Sequence, residues 1–184
     1  TFEADGVVAD NSDVYGFQMA LDNARASAVG PALVLGAGGA ARAVVVALLA
    51  AGFGPVRVAN RTAARAEALA GDLGAEPVAW DRRTAGLTDA AVLVNATSLG
   101  MTGAPALAFD LANAAASLVV CDIVYSPLQT PLLRAAHARG LRVVDGLDML
   151  MRQAEPGFRR WFGAEPRVDA ALRARLVAVL EARG

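Results

Sequence analysis

The chain has 184 residues, 55% of them hydrophobic and 19% charged, with 18 glycines, a composition that suits one globular domain with a continuous core and excludes a disordered segment. A formal net charge of −1 gives no electrostatic basis for nucleic acid or an anionic membrane as partner, and the longest apolar run, residues 43–51, falls far short of the roughly 20 needed to cross a bilayer. The lone Cys121 has no partner for an internal disulfide and the N-terminus shows no leader-like pattern, so the expected compartment is the cytoplasm.

In chain order, residues 12–28 read as a helix opened by Asn11 or Ser12 as N-cap. A strand follows at 32–35, then a helix at 39–51, a strand at 56–59 and a helix at 63–73. A weaker strand covers 76–79. Strands at 91–95 and 118–123, a helix at 130–139 and a strand at 141–144 complete the alternation. Gly52, Gly74 and Gly140 follow three of the helices, where a C-terminal cap is expected. Apart from the weaker one, the strands are short, β-branched and apolar in the main, as strands covered on both faces are. Two terminal helices, within about 147–162 and 168–182, close the chain. The alternation predicts a doubly wound parallel α/β sheet with right-handed crossovers, with 1–184 forming one domain.

Directly after the strand at 32–35 comes Gly36-Ala37-Gly38-Gly39-Ala40-Ala41, a G-x-G-x-x-A pattern opening a helix. The first glycine permits a tight turn, the second a close approach of backbone to a pyrophosphate, and Ala41 close packing of helix on strand. Free N–H groups and the helix dipole favour the anion there. This strand–loop–helix context predicts a Rossmann-like fold that binds a dinucleotide.

The second strand indicates which dinucleotide. In NAD-binding domains an acidic residue about 20 positions on holds the ribose 2′-hydroxyl. Here Asn60 stands 24 positions beyond Gly36, followed by Arg61 and Thr62, with no carboxylate. Arg61 and Arg65 offer planar guanidinium groups suited to a 2′-phosphate. Cations at a helix start oppose its dipole and need another reason to be there. The expected cofactor is NADP.

Five ordered motifs make the chain similar to the shikimate dehydrogenase family. Residues 10–17, Asp-Asn-Ser-Asp-Val-Tyr-Gly-Phe, resemble its G-x-N-T-D-G-x-G-F motif. The glycine loop with Asn60-Arg61-Thr62 resembles its NADP site. Asn95-Ala96-Thr97-Ser98-Leu99-Gly100-Met101 resembles its N-A-T-S-x-G-M loop. Asp122-Ile123-Val124-Tyr125-Ser126-Pro127 with Thr130-Pro131 resembles D-x-x-Y-x-P-x-x-T-P. Gly146, Met149, Leu150 and Gln153 fit its G-x-x-M-L-x-x-Q signature.

The resemblance implies roles. Asp13 would be the carboxylate of a Lys–Asp catalytic pair and would hold a substrate hydroxyl. Tyr125 and Gln153 would contact the substrate, 3-dehydroshikimate or shikimate. Gly36, Ala37, Gly38, Gly39, Ala40 and Ala41 would hold the pyrophosphate, and Asn60, Arg61, Thr62 and Arg65 the adenosine phosphate. Thr97, Ser98, Ile123, Gly146 and Met149 would line the nicotinamide and ribose region. No metal is implied. His137, the lone histidine, reads as a surface residue near a helix C-terminus.

Each role has a plainer rival: Asp13 as a first-turn acid, Tyr125 as part of a turn, Gln153 on a solvated face, Met149 in the core. Two departures from the family pattern are mild, Ser12 for Thr and Val14-Tyr15 for Gly-x, the second of which stands where pocket shape or the hinge to another domain is set. The third concerns chemistry. All 17 basic residues are arginine, whereas the family's catalytic Lys, a Ser-x-Ser carboxylate clamp and a substrate-binding Asn precede the N-T-D motif. The expectation is therefore a cofactor domain whose terminal helices pack on a missing N-terminal substrate domain, and which binds NADP without turning over alone. Quinate or aminoshikimate dehydrogenase is the enzymatic alternative, and a non-catalytic nucleotide-binding module the other.

Overall fold

The computed structural model of the chain describes residues 2–3, 6–24 and 30–182. A two-stranded antiparallel ladder, β1 (Phe2–Glu3) and β2 (Gly6–Val7), pairs Phe2 with Val7; nothing in the sequence pattern announced it. Helix α1 (Ser12–Asn23) follows, and its N-cap is Asn11, whose side chain accepts the Asp13 N–H at 3.0 Å. The expected extension of this helix to residue 28 runs into 25–29, which lie outside the described residues.

The main sheet holds β3 (Ala32–Leu35), β4 (Val56–Ala59), β5 (Glu76–Val78), β6 (Val92–Asn95), β7 (Val119–Asp122) and β8 (Arg142–Asp145). Their spatial order is β5-β4-β3-β6-β7-β8, with every pairing parallel. The chain thus winds outward from β3 in one direction, returns, and winds outward from β6 in the other. The reversal falls between β3 and β6, where Leu35 is level with Asn95 on one side and Ala59 on the other. In open α/β sheets a ligand crevice forms at this switch point, beyond the carboxyl ends of the strands.

The apolar strand sequences follow from cover on both faces. In β3, Ala32 and Val34 join one core layer with Val44, Leu48 and Phe17, while Leu33 and Leu35 join the other with Leu93, Leu118 and Leu133. Alternate residues point to opposite faces, so all four must be apolar. Burial of each large side chain contributes roughly 1.5–3 kcal/mol, and that burial, more than local propensity, fixes the strands. Helices α2 (Gly39–Ala50) and α3 (Ala63–Leu73) supply Val44, Leu48 and Leu69 to the first layer with α1; α4 (Pro131–Ala138) supplies Leu132 and Leu133 to the second. The connection from β6 to β7 contains no helix, and Leu107 and Leu111 cover the second face there. His137 is exposed in the last turn of α4.

One expected helix is two. The stretch at 147–162 divides at Gln153 into α5 (Gly146–Arg152) and α6 (Ala154–Phe162). Pro156 has no N–H to give to the Arg152 carbonyl, which interrupts the ladder. In the first turn of α6 that missing donor is tolerated. The last helix, α7 (Ala170–Glu181), is capped by Asp169, which accepts the Leu172 N–H at 2.9 Å. Among the described residues, no helix is long and apolar enough to cross a membrane.

Candidate functional site

Gly36 leaves β3 at φ +110°, and its N–H donates to the Ala59 carbonyl at 2.8 Å. A Cβ there would lie 2.6 Å from the Ala96 carbonyl oxygen, so backbone from the two sides of the switch point meets over this residue. Gly38 caps α2 and Gly39 opens it, and a Cβ on either would meet nothing within 4 Å. The start of the helix therefore faces open space. No acidic side chain occupies its first turn, and its orphan N–H groups favour an anion. Ala41 is fully buried beneath the loop; Ala37 and Ala40 are half-buried.

At the end of β4, the Asn60 amide donates to the Thr62 carbonyl at 2.9 Å and so shapes the turn into α3. Thr62 occupies the N-cap position, yet its side chain makes no capping bond, which leaves the hydroxyl available. Arg61 and Arg65 are exposed. Among the described residues no carboxylate pairs with either. Two unpaired guanidinium groups and a free hydroxyl at one helix start fit a phosphate dianion and give a ribose hydroxyl no carboxylate acceptor. The residues present thus fit a 2′-phosphorylated dinucleotide with its pyrophosphate over Gly38 and Gly39.

Beyond β6 and β7 the sequence left one residue without a role. Asp122 is 1% exposed. Its Oδ1 accepts from the Asn95 amide at 2.9 Å and the Val124 N–H at 3.1 Å, and its Oδ2 accepts from the Thr130 hydroxyl at 2.7 Å. The same Asn95 amide reaches the Leu99 carbonyl at 3.0 Å, while Asn95 Oδ1 accepts from both the N–H and the hydroxyl of Thr97. One buried pair therefore ties the loop after β6 to the loop after β7. Burial pushes the Asp122 carboxyl up to about 6, against the opposite pull of these hydrogen bonds. The signal available in the sequence was an acidic residue ending an otherwise apolar strand.

This network alters how one expected residue can act. The Thr97 hydroxyl is engaged internally, accepting the Leu99 N–H at 3.1 Å, so it serves the shape of the loop. Ser98 is exposed beside it. Gly146 is buried against the loop after β7: a Cβ on it would lie 2.2 Å from the Ile123 carbonyl oxygen. Met149 is buried in the first core layer, with its carbonyl 2.8 Å from the Cβ position of Gly16. Its side chain is placed as core and its backbone as a floor for α1.

Asp13 is half-buried in the first turn of α1. Three residues on, Gly16 lets the backbone of Gln153 approach to 2.9 Å from where its Cβ would be, with Gln153 Cβ at 2.8 Å. Residues three apart share a helix face, so Asp13 and Gln153, distant in sequence, belong to one edge of the fold. Gln153 is half-buried at the junction of α5 and α6 and not on a solvated face. Phe17 and Ala20 of α1 lie over Ile123 and Gly146 at the ends of β7 and β8. Tyr125 follows on the loop after β7 and is 41% exposed. Among the described residues no group of three or more His, Cys, Asp or Glu side chains could hold a metal ion.

The sequence profile of the shikimate / quinate 5-dehydrogenase family matches residues 18–123, more than half of the chain. This chain belongs to the shikimate / quinate 5-dehydrogenase family. The NADP(+)-type shikimate dehydrogenase of Azorhizobium caulinodans is 59% identical over 155 residues, which cover 83% of this chain and 55% of that protein. The shikimate 5-dehydrogenase of Thermus thermophilus, solved with NADP(H) and shikimate, is 42% identical with a TM-score of 0.75, over 85% of this chain and 58% of its own. The quinate dehydrogenase of Corynebacterium glutamicum, solved with NAD, is 34% identical with a TM-score of 0.81, over 92% and 62%. The chain thus spans about three fifths of the family members it matches. The profile match takes in the glycine loop, the arginine pair and the Asn95–Met101 loop of this chain. Asp13, Tyr125, Gly146 and Gln153 lie outside it.

Proposed function

We propose that this chain is the cofactor-binding part of an NADP-dependent shikimate dehydrogenase, which reversibly reduces the C3 carbonyl of 3-dehydroshikimate to shikimate. The observation that carries this reading is the pair of uncompensated arginines, Arg61 and Arg65, beside the free Thr62 hydroxyl at the end of β4. The relatives of the NADP(+) type at above 50% identity support it.

Gly36 to Ala41 would hold the pyrophosphate, Asn60, Arg61, Thr62 and Arg65 the adenosine phosphate, and Ser98, Ile123 and Gly146 the nicotinamide end, with Thr97 and Met149 shaping that end from behind. When bound in reduced form, the nicotinamide supplies a hydride. Asp13 would accept a hydrogen bond from a substrate hydroxyl and assist proton transfer at the reacting oxygen. Tyr125 would offer its phenolic O–H and Gln153 its amide to the other substrate oxygens, which fixes the ring relative to the cofactor. The chain has no lysine, so the amine of the Lys–Asp pair would come from the part of the relatives that this chain does not span. The exposed Trp161 and Phe162 of α6, 74% and 66% accessible, together with α1 and α7, are the surfaces on which that part would pack.

The test is turnover of the complete protein with NADPH and 3-dehydroshikimate, set against NAD-linked oxidation of quinate and of aminoshikimate, with the 184-residue chain assayed beside it. The proposal expects turnover with NADPH and 3-dehydroshikimate by the complete protein and binding without turnover by the chain. Preferred oxidation of quinate with NAD would replace the substrate and cofactor; cofactor binding with no turnover by the complete protein would leave a nucleotide-binding module.

A further inference from the structure

We propose that Tyr15 is a positioning residue that sets the distance between Asp13 and Gln153, and thereby the fit of the site to its substrate. This rests on the reading that Asp13 and Gln153 face the substrate. Glu155, in the first turn of α6 and only 6% exposed, takes the Tyr15 hydroxyl at 2.7 Å and Arg159 Nη2 at 3.0 Å on its Oε2. Its Oε1 takes Arg152 Nη1 at 3.1 Å. Arg159 also donates to the Tyr15 hydroxyl oxygen at 3.1 Å, and its guanidinium stands 5.5 Å from the ring centroid. A buried carboxylate is held in place only when its lone pairs are met by donors, and here α1, α5 and α6 each contribute one.

The arrangement grips the start of α1 at two neighbouring points. Gly16 abuts Gln153 with no room for a side chain, which sets the closest approach. Tyr15 bonds to Glu155, two residues beyond Gln153, which sets the register along and around the helix axis. Burial of the ring alone would hold α1 near α6 without direction, since apolar contact is non-directional. The hydroxyl–carboxylate bond is directional and charge-assisted. Asp13 lies two residues before Tyr15 on the same first turns, so a rotation of α1 moves its carboxylate relative to the Gln153 amide. A misplacement of about 1 Å in a constellation of this kind is felt in turnover.

The experiment uses the complete protein and Tyr15→Phe, which keeps the ring and removes the hydroxyl. The expected result is a rise in KM for 3-dehydroshikimate of about tenfold, in line with loss of one hydrogen bond to a charged group. NADPH affinity should stay within about twofold, because the adenosine and phosphate residues lie on other elements. Glu155→Gln keeps an oxygen for the Tyr15 hydroxyl and should retain most of the fit. If Tyr15→Phe does not fold, Arg159→Met, which leaves the tyrosine–glutamate bond in place, carries the test with a smaller rise in KM. Unchanged KM in a folded Tyr15→Phe protein overturns the proposal, as does an equal loss in KM and cofactor affinity, which marks general loosening. Asp13→Asn and Gln153→Ala run alongside. If both are silent in turnover, the substrate-site reading itself falls; if they impair it while Tyr15→Phe does not, only the positioning role falls.

Discussion

The carbonyl oxygen of Ala96 stands 2.6 Å from the point a Cβ on Gly36 would occupy. The glycine that turns the chain out of β3 is thus also the floor on which the loop after β6 rests. Gly36→Ala meets that oxygen and carries an L side chain at φ +110°, a conformation that costs on the order of 1–3 kcal/mol by itself. The variant should unfold at lower temperature and lose dinucleotide affinity together. Gly39→Ala is the contrast, since its Cβ meets only open space and a helix favours alanine over glycine. Its melting temperature should hold or rise while cofactor affinity falls, because the new methyl enters the space that the proposal assigns to the pyrophosphate. Calorimetric titration and thermal melts of the two variants separate these effects.

Arg61 should decide cofactor choice. With no carboxylate neighbour among the described residues, its charge is available in full to a 2′-phosphate, and a charge-assisted hydrogen bond contributes roughly 1.5–3 kcal/mol. Arg61→Ala should therefore weaken NADP binding by about 10- to 100-fold and leave NAD binding where it was. The NADP affinity should also fall more steeply with added salt in the wild type than in the variant. An equal loss for both dinucleotides would place Arg61 outside the phosphate site.

How far the sequence carried the structure differs by region. The four inner strands, the glycine turn and the arginine pair were legible because each follows from a local rule: mostly apolar runs for strands covered on both faces, glycine at a tight turn, cations where a helix dipole disfavours them. The break at Gln153 was missed although Pro156 marked it, since the apolar periodicity runs on through the junction. The β1–β2 ladder, two residues per strand, is too short to show a period. The role of Asp122 was not readable either. Its partners Asn95 and Thr130 are 27 and 8 residues away, and only the parallel register of β6 and β7 brings Asn95 level with Asp122. The same holds for Tyr15 and Glu155, 140 positions apart: composition and spacing give each residue a chemistry but no partner.

Asp122 should give stability a distinct pH dependence. Burial raises this acid to about 6 in the folded chain, above the ordinary unfolded value of about 4. The folded state therefore holds the proton more tightly than the unfolded state between those limits. The contribution of that proton to stability is full below about pH 4 and is lost as pH rises through about 6, a change on the order of 2–3 kcal/mol. Asp122→Asn removes the titration while an amide oxygen can still accept from Asn95 and Val124. Denaturant melts at steps between about pH 4 and 7 should show a flatter profile for the variant across that window. A profile unchanged by the substitution would mean another group titrates there.

The C-terminal helix offers the last prediction. No residue of α7 is buried, and Leu172, Leu176, Val177 and Leu180 are only half-buried. Its polar anchor is Arg173, whose Nη1 donates to Asp145 Oδ1 at 3.1 Å while Nη2 meets the second carboxylate oxygen. Asp145 in turn caps α5 by accepting the Leu147 N–H at 3.1 Å, next to Gly146 and its contact with Ile123. The Arg173 side chain is 36% accessible, so the pair contributes no more than about 1 kcal/mol. On a helix with so little other anchorage, that is enough to raise the detached population about fivefold. Arg173→Met keeps the apolar stem and drops the charge. Amide exchange across 170–181 should quicken by about that factor while exchange in β3, β6 and β7 stays as it was, and high salt should move the wild type part of the way in the same direction. Unchanged exchange in α7 would show that the half-buried aliphatic side chains alone hold the helix on α5.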